Sequence, residues 1–281
     1  MSDPWRRRLA TLRGRFGSAA TEPADRKPLV ATLPLADVRH MCDLPPFPLQ
    51  DVLGPECWMA GGRIVRWFRD GSDTRGGDFD LCFPSLEAVR VALRGLLMQG
   101  FRLKGLRAWR ERICFRCGSR VGASPHWKWF REVKLDLCPR CAMLRARDRR
   151  VAFDDIVEID HHLIQRCLLA AVELVSPQGQ LVQLSTSHLY PTPEELVLDV
   201  DLTICQLATD GQHLYYSATA LYDLSRERFG LGCINYPPLT LLRIFKYGCR
   251  GFRPRGDVWA KVLAAWWHWR RRRRRPPRRG P

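Results

Sequence analysis

The stretch GGRIVRWFRDGSDTRGGDFDLCF, residues 61–83, decides the fold of this 281-residue chain. It begins with two glycines and continues with a helical pattern over residues 63–69. It then crosses the loop GSDTRGG, whose three glycines, serine and aspartate are typical of a turn region. Residues 78–83 alternate charged and bulky side chains, which is the pattern of a strand. A glycine turn, a helix, a loop and a strand in this order predict an α/β fold.

Asp78 and Asp80 are two residues apart on the predicted strand. Side chains alternate between the faces of a strand, so both carboxylates should leave the same face. Two like charges held this close favour a cation between them, and Mg²⁺ is usually bound by one or two carboxylates plus substrate phosphates. A third carboxylate from another strand would complete a site for two metal ions. Asp199 and Asp201, in the β-prone run 197–207, are the candidates.

The glycines before the acid pair favour a nucleotide as the ligand. Gly61 and Gly62 allow the backbone to approach a triphosphate closely, and the N-terminus of the following helix favours negative charge. With the sequence DFDL at residues 78–81, this arrangement resembles the polymerase-β-type nucleotidyltransferase superfamily. The segment Gly-Gly-x-Ile-Val-Arg is similar to the tRNA-CCA-adding and bacterial poly(A) polymerase branch of that superfamily.

The later part of the chain resembles predicted nucleotidyltransferases of viruses and phages. Those proteins share a strand with a Val-Gln pair, a Pro-Glu-Glu helix, a Phe-Asp-Phe-Thr-x-Cys strand and an Arg-Ile-x-Lys-Tyr helix. The matching stretches here are Leu181–Leu184, Pro193–Glu195, Val200–Cys205 and Arg243–Tyr247. By this match Asp201, rather than Asp199, is the third carboxylate.

The resemblance implies both a reaction and a site. The reaction is the metal-dependent transfer of a nucleoside monophosphate from a nucleoside triphosphate to a hydroxyl. The resemblance also implies that Asp78, Asp80 and Asp201 hold two catalytic Mg²⁺ ions, and that Asp201 helps to deprotonate the acceptor. The residues expected to bind the nucleotide are Gly61, Gly62 and Arg66, although Arg66 could equally be an ordinary surface cation.

Two CxxC pairs form a second motif, CFRC at residues 114–117 and CPRC at residues 138–141. Their separation of about twenty residues is that of a four-cysteine zinc site. A site with four cysteines is coordinatively closed, so the predicted Zn²⁺ is structural rather than catalytic. A redox pair is the alternative. The predicted zinc ligands are Cys114, Cys117, Cys138 and Cys141.

The charge of the chain favours a polyanionic partner. The formal net charge is +17, and eight arginines lie within the last twelve residues. Such a balance indicates nucleic acid first and an acidic membrane surface second. Beside the nucleoside triphosphate we expect nucleic acid, RNA rather than DNA, as a partner. The tryptophans of the predicted helix 257–274 could stack on nucleobases or anchor at a membrane interface, and the arginines could serve as a nuclear-import signal.

The cysteines and the hydropathy indicate a compartment. Of eleven cysteines, the seven outside the CxxC pairs are scattered through mostly apolar stretches. We therefore predict an intracellular, reducing compartment without a disulfide framework: the cytoplasm, or else the nucleus or a viral host compartment. No apolar run approaches the roughly 18–20 residues that a transmembrane segment needs.

The predicted organisation has four parts. They are a basic, flexible arm (1–34), a nucleotidyltransferase-like core (35–104 and 150–252), a zinc-binding insertion (105–149), and a Trp/Arg-rich helix with a basic tail (253–281). The core is predicted to be α/β, with a mixed, mainly antiparallel sheet of four or five strands, helices against one face, and a helix over residues 155–175.

Two other functions remain open from the sequence. One is a non-catalytic, zinc-containing nucleic-acid-binding protein on a degenerate nucleotidyltransferase core. The other is a toxin–antitoxin or defence-type transferase that modifies a protein or a tRNA.

Overall fold

The structure is a computed structural model that describes residues 4–16, 30–47, 49, 56–71, 78–108, 169–186 and 188–274. These residues form a mixed α/β fold, as predicted, with eight helices and parallel as well as antiparallel strand pairs. The chain divides into two compact units. The first comprises Met1–Asp51, Ala60–Thr74 and Thr192–Pro281, and the second comprises Val52–Met59 and Arg75–Pro191.

The described helices and strands follow one another along the chain in this order. They are α1 (Pro4–Phe16), β1 (Val30–Pro34), α2 (Leu35–Cys42), β2 (Trp58–Ala60), α3 (Gly62–Asp70), β3 (Phe79–Cys82), α4 (Leu86–Met98), β4 (Arg102–Ala108), β5 (Leu169–Val175), β6 (Leu181–Ser185), α5 (Pro193–Asp199), a 3₁₀ turn (Thr203–Cys205), β7 (Leu207–Thr209), β8 (His213–Ser217), α6 (Ala218–Ser225), β9 (Arg228–Phe229), α7 (Pro237–Gly248), β10 (Arg253–Pro254) and α8 (Val258–Arg274).

The sheet of the first unit contains the antiparallel strands β1, β8 and β7 in that order. Asp210-Gly211 makes the hairpin turn between β7 and β8, and Gly211 has the positive φ of 91° that such a turn needs. The Asp210 carboxylate accepts the backbone N–H groups of Gln212 and His213 at 2.8 and 2.7 Å. The turn is therefore held by its own side chain.

The N-terminal segment contains a packed helix. In α1, Leu9 and Leu12 are buried, and α1 contacts α2, α3 and α6. Arg13 donates through Nε to the Ser225 carbonyl at 2.8 Å. Residues 30–34 pair with β8 as an edge strand. The stretch expected to be a flexible basic arm thus supplies a helix and a strand to the first unit, because its leucines recur at the helical spacing that buries one face.

A buried carboxylate joins three elements of the first unit. Asp223 on α6 is fully buried and accepts two hydrogen bonds from Arg255, at 3.0 and 2.7 Å. Thr203 donates to its other oxygen at 2.5 Å, and Arg228 lies 3.4 Å away. Burial raises the pKa of Asp223, and the hydrogen bonds and the two guanidinium groups oppose that rise. Such a charge is stable in a core only when it is compensated in this way.

The second unit is built on the strand order β2-β3-β6-β5-β4. Strands β3 and β6 are parallel, whereas β5 is antiparallel to both β6 and β4. Helix α4 is capped by Ser85, whose hydroxyl accepts the Ala88 N–H at 3.1 Å. With the three antiparallel strands of the first unit, the described residues contain more sheet strands than the four or five that were predicted.

The prediction of a helix over residues 155–175 is wrong for its last seven residues. Residues 169–175 form β5, which pairs with β4 on one side and β6 on the other. A short apolar run such as LAAVELV fits a buried helix and a buried strand equally well by periodicity alone. Pairing on both edges favours the strand, and Val172 and Leu174 are fully buried in it.

The prediction of a strand over residues 197–207 is also wrong. Helix α5 continues to Asp199, and residues 203–205 form a 3₁₀ turn. The start of α5 has the usual helix signals, because the Thr192 hydroxyl accepts the Glu195 N–H at 3.3 Å and a proline follows the cap. Asp199 and Asp201 therefore do not share a strand face. Of the described run only its last residue, Leu207, belongs to a named strand, β7 (Leu207–Thr209).

Candidate functional site

The predicted metal-binding pair lies on strand β3 of the second unit. Phe79 and Leu81 are fully buried, whereas Asp78 and Asp80 are half-buried. Asp80 is within β3 and Asp78 immediately precedes it. By the alternation of side chains along a strand, both carboxylates lie on the side opposite the two apolar residues. The strand that the sequence predicts at this position is confirmed.

A carboxylate that the sequence analysis missed lies in the same row of the sheet. Asp80 on β3 is opposite Gln183 on β6, and Gln183 is opposite Glu173 on β5. Side chains in one row share a face, and two strand spacings put the Cα atoms of Asp80 and Glu173 about 10 Å apart. Glu173 is buried, which is rare for a carboxylate unless its charge is compensated.

A signal for Glu173 was present in the sequence. It stands between Val172 and Leu174 just as Asp80 stands between Phe79 and Leu81. An acid flanked by two apolar residues is the pattern of a strand whose opposite face is buried. Assigning residues 155–175 to a helix concealed that pattern.

The thiols beside Asp80 are protonated rather than reactive. Burial raises the pKa of Cys57 to about 12. Burial raises the pKa of Cys82 further, with additional contributions from the Asp80 carboxylate and from Cys57. Because the thiolate is the nucleophile and the metal ligand, the carboxylates are the reactive groups on this part of β3.

The predicted nucleotide-binding glycines lie in the first unit, where β2 leads into α3. Gly61 has φ 82° and ψ −141°, a conformation that is essentially restricted to glycine. Its carbonyl accepts the Ile64 N–H at 3.2 Å and so caps α3. The first N–H groups of a helix have no carbonyl partners within it and favour an anion. Arg66 is half-buried in the middle of α3.

Gly62 is required for a steric reason. A Cβ atom at this position would lie 2.7 Å from Tyr247 Oη on α7. Tyr247 is buried, and its hydroxyl accepts a hydrogen bond from the Cys205 thiol at 3.1 Å. The turn therefore brings the backbone of α3 into close contact with α7.

Asp201, the predicted third carboxylate, is held by the same helix α7. It is buried in the segment between α5 and the 3₁₀ turn. Its Oδ2 accepts a hydrogen bond from the Thr240 hydroxyl at 2.9 Å and forms an ion pair with Arg243 Nη1 at 2.9 Å. Its Oδ1 is buried and, among the residues that the structure describes, has no hydrogen-bond partner.

Helix α7 contacts both Asp201 and the glycine turn. Arg243 contacts Asp201, and Tyr247 contacts the position of Gly62. The two α7 residues are four positions apart, which is about 6 Å along a helix axis. The pKa of Cys205, raised to about 12 mainly by burial, is also affected by the charges of Asp201 and Arg243. The predicted glycines and Asp201 are thus neighbours within the first unit.

The predicted site residues are distributed between the two units. Asp78 and Asp80 belong to the second unit, and Gly61, Gly62, Arg66 and Asp201 belong to the first. Within the described residues, no group of three or more His, Cys, Asp or Glu side chains is arranged to hold a metal ion. The four predicted zinc ligands, Cys114, Cys117, Cys138 and Cys141, lie outside the described residues.

No protein-family model matches the chain, and none of the curated proteins matches it. None of the helices in the described part of the chain has the length and apolarity needed to cross a membrane.

Proposed function

We propose that this chain is a metal-dependent nucleotidyltransferase that moves a nucleoside monophosphate from a nucleoside triphosphate to a hydroxyl acceptor. One observation supports this most. Asp78 and Asp80 lie opposite the buried Phe79 and Leu81, with the buried carboxylate of Glu173 in the same row as Asp80. A strand face with several carboxylates has the oxygen donors that Mg²⁺ prefers.

The roles of the residues follow from their chemistry. Asp78 and Asp80 would hold Mg²⁺, and Asp201 would be the third carboxylate that assists deprotonation of the acceptor. Gly61 and Gly62, at the N-terminus of α3, would bind the triphosphate. When bound, Mg²⁺ would lower the pKa of the attacking hydroxyl and neutralise charge on the transferred phosphoryl group. An RNA end is the acceptor that the net charge of +17 favours.

The experiment is nucleotide incorporation with purified full-length chain. The chain is incubated with each radiolabelled nucleoside triphosphate, total RNA, and Mg²⁺ or EDTA. We expect labelled RNA that depends on Mg²⁺, and a loss of roughly 10²-fold or more in each of Asp78→Asn and Asp80→Asn. Asp37→Asn, an exposed acid on α2, is the matched control and should keep full activity. Equal activity in Asp80→Asn and Asp37→Asn would refute the proposal.

A second pair of variants identifies the third carboxylate. Asp201→Asn and Glu173→Gln each remove one charge and preserve side-chain shape. If Asp201 assists the acceptor, Asp201→Asn should lose about as much activity as Asp80→Asn does. Glu173→Gln should then keep its activity. If Glu173 has this role instead, Glu173→Gln should lose activity and Asp201→Asn should keep it. The row of side chains across β3, β6 and β5 is then the metal site. Circular dichroism and thermal melting of both variants separate lost chemistry from lost folding.

A non-catalytic nucleic-acid-binding protein on a degenerate core is the second candidate. The ion pair between Asp201 and Arg243 favours it, because that carboxylate is already compensated by a cation of its own chain. This candidate predicts RNA binding in a gel-shift assay but no nucleotide incorporation from any nucleoside triphosphate. It also predicts that Asp78→Asn with Asp80→Asn leaves RNA affinity unchanged or higher.

A further inference from the structure

Helices α7 and α8 of the first unit carry exposed apolar side chains in regular stripes. Such side chains recur every three residues on α7 and every four residues on α8, so each helix presents one apolar stripe. The six side chains are Leu239, Leu242 and Phe245 on α7 and Trp259, Leu263 and Trp267 on α8, each at least 40% exposed. We call these six side chains the α7–α8 surface.

The two stripes lie side by side. The rings of Phe245 and Trp259 are 6.0 Å apart, and those of Tyr236 and Trp269 are 5.4 Å apart. The first contact joins the end of α7 to the start of α8, and the second joins the start of α7 to the end of α8. The helices are therefore antiparallel neighbours, and their stripes run together for about 9–12 Å. They form one continuous patch rather than scattered apolar residues.

The fold does not use this patch as core. The inner face of α8 is closed by Val258 and Val262, and that of α7 by Ile244 and Tyr247, all of which are buried. Each helix thus has an apolar face inside and a second apolar stripe outside. A second stripe of this kind on a polar surface marks a contact with another molecule.

The surroundings of the patch are strongly basic. Residues 236–281 contain fourteen lysines and arginines and a single acid, Asp257. The guanidinium of Arg271 lies 5.2 Å from the centre of the Trp267 ring. The arginine run continues beyond it to Arg275. Whatever binds the α7–α8 surface must therefore tolerate both apolar side chains and a high density of positive charge.

We propose that the α7–α8 surface binds an anionic lipid membrane, on which the chain lies with its six apolar side chains in the headgroup region. Leucine, phenylalanine and tryptophan on one face beside a basic segment is the composition of a surface-bound amphipathic helix. Acidic headgroups complement the arginines, which are attracted to the negative surface potential of such a membrane. This proposal is independent of the nucleotidyltransferase chemistry.

Two other partners fit the surface less well. Half of the six side chains are leucines, which neither stack on bases nor bond to phosphates, whereas nucleic-acid surfaces use aromatic and basic groups. A second copy of the chain would bring another net charge of +17 against the same patch, and like charges repel. A lipid surface uses the leucines, the aromatic rings and the arginines together.

The test is flotation of the full-length chain with vesicles in a density gradient. One set of vesicles is phosphatidylcholine alone, and the other contains about 30% phosphatidylserine. We expect the chain to float with the anionic set, and the double variant Leu242→Gln with Leu263→Gln to bind it roughly tenfold more weakly. The matched control is Val91→Gln with Met98→Gln on α4, which removes equally exposed apolar side chains and should bind as the wild type.

Thermal melting of all variants confirms that they are folded, and three results would overturn the proposal. If the leucine variant floats as the wild type does, only charge attracts the chain to vesicles. If it loses affinity for a single-stranded RNA oligomer but keeps vesicle binding, the surface is an RNA site. If light scattering shows a wild-type dimer that the leucine variant makes monomeric, the surface is an interface between copies.

Discussion

A substitution at Gly62 gives the sharpest test of the close contact between α3 and α7. Gly62 has helical backbone, so alanine is permitted by the backbone and the cost arises from the added Cβ atom alone. That atom would lie 2.7 Å from Tyr247 Oη, which is closer than carbon and oxygen normally approach. Tyr247 cannot move freely, because it is buried. Its hydroxyl accepts a hydrogen bond from the Cys205 thiol, and its ring packs edge-on against Phe252.

The magnitude follows from two opposing effects. Overpacking of a core by one methyl group costs about 1–3 kcal/mol, and alanine gains up to about 1 kcal/mol over glycine in a helix. Gly62→Ala should therefore reduce the free energy of unfolding by about 1–2 kcal/mol. At roughly 2–4 °C per kcal/mol, the melting temperature should fall by about 2–8 °C.

The second half of the test is a rescue. Tyr247→Phe removes the hydroxyl, after which the nearest ring atom, Cζ, is 3.9 Å from the added Cβ, an ordinary contact. Tyr247→Phe alone should cost about 0.5–1 kcal/mol for the lost hydrogen bond. The costs of the two substitutions should therefore not add. The double variant should be at least about 1 kcal/mol more stable than the sum of the two single costs predicts.

The assay is urea or thermal unfolding of the four chains of this cycle. Gly248→Ala is the matched control, because Gly248 ends α7 and a Cβ there meets nothing within 4 Å. It should be neutral or slightly stabilising. Strictly additive costs in the cycle, or a Gly62→Ala variant as stable as Gly248→Ala, would refute the steric reasoning.

The remaining predictions concern the metal, the pH dependence and the core. The purified chain should contain one zinc ion by mass spectrometry, and Cys114→Ser or Cys138→Ser should lose it; a wild type without zinc contradicts the knuckle. Although burial raises the pKa of Asp210, hydrogen bonds from His213 and its neighbours lower it overall. The stability that Asp210 contributes is therefore complete above its ordinary pKa of 3.8 and is lost as the pH falls through the lowered value. Asp210→Asn should destabilise the chain at pH 7, and this deficit should shrink as the pH falls below 3.8; a deficit that does not change with pH would contradict this. Asp223→Asn should cost about 3 kcal/mol in urea unfolding, whereas Asp37→Asn, at an exposed position on α2, should cost little, and similar costs would argue against the buried ion cluster.

The two sets of candidate residues differ in how the chain positions them. The glycine turn and Asp201 are related through one helix, α7, whose Arg243 and Tyr247 are a single turn apart. Asp80 and Glu173 are related through the register of three strands. The two sets correspond to two hypotheses for the third carboxylate. This is why the variants Asp201→Asn and Glu173→Gln carry the most information about the reaction.

Local chemistry made several elements predictable. The hydroxyl of Ser85 starts α4, the left-handed turn at Gly211 joins β7 to β8, and Asp80 alternates with two buried neighbours, all within a few residues of chain. Such features depend on backbone conformation, capping and side-chain period, which are properties of the sequence itself. The mixed α/β class follows from the same signals.

Other features were decided by contacts between distant residues. Residues 169–175 form a strand because partners on both edges accept their backbone groups, and the row from Asp80 to Glu173 exists only through that pairing. The contact of Tyr247 with Gly62 and the joining of two helical stripes into one α7–α8 surface are of the same kind. Apolar runs and lone acids fit more than one local structure, so the choice falls to whichever arrangement buries apolar area and pairs backbone groups across the whole fold.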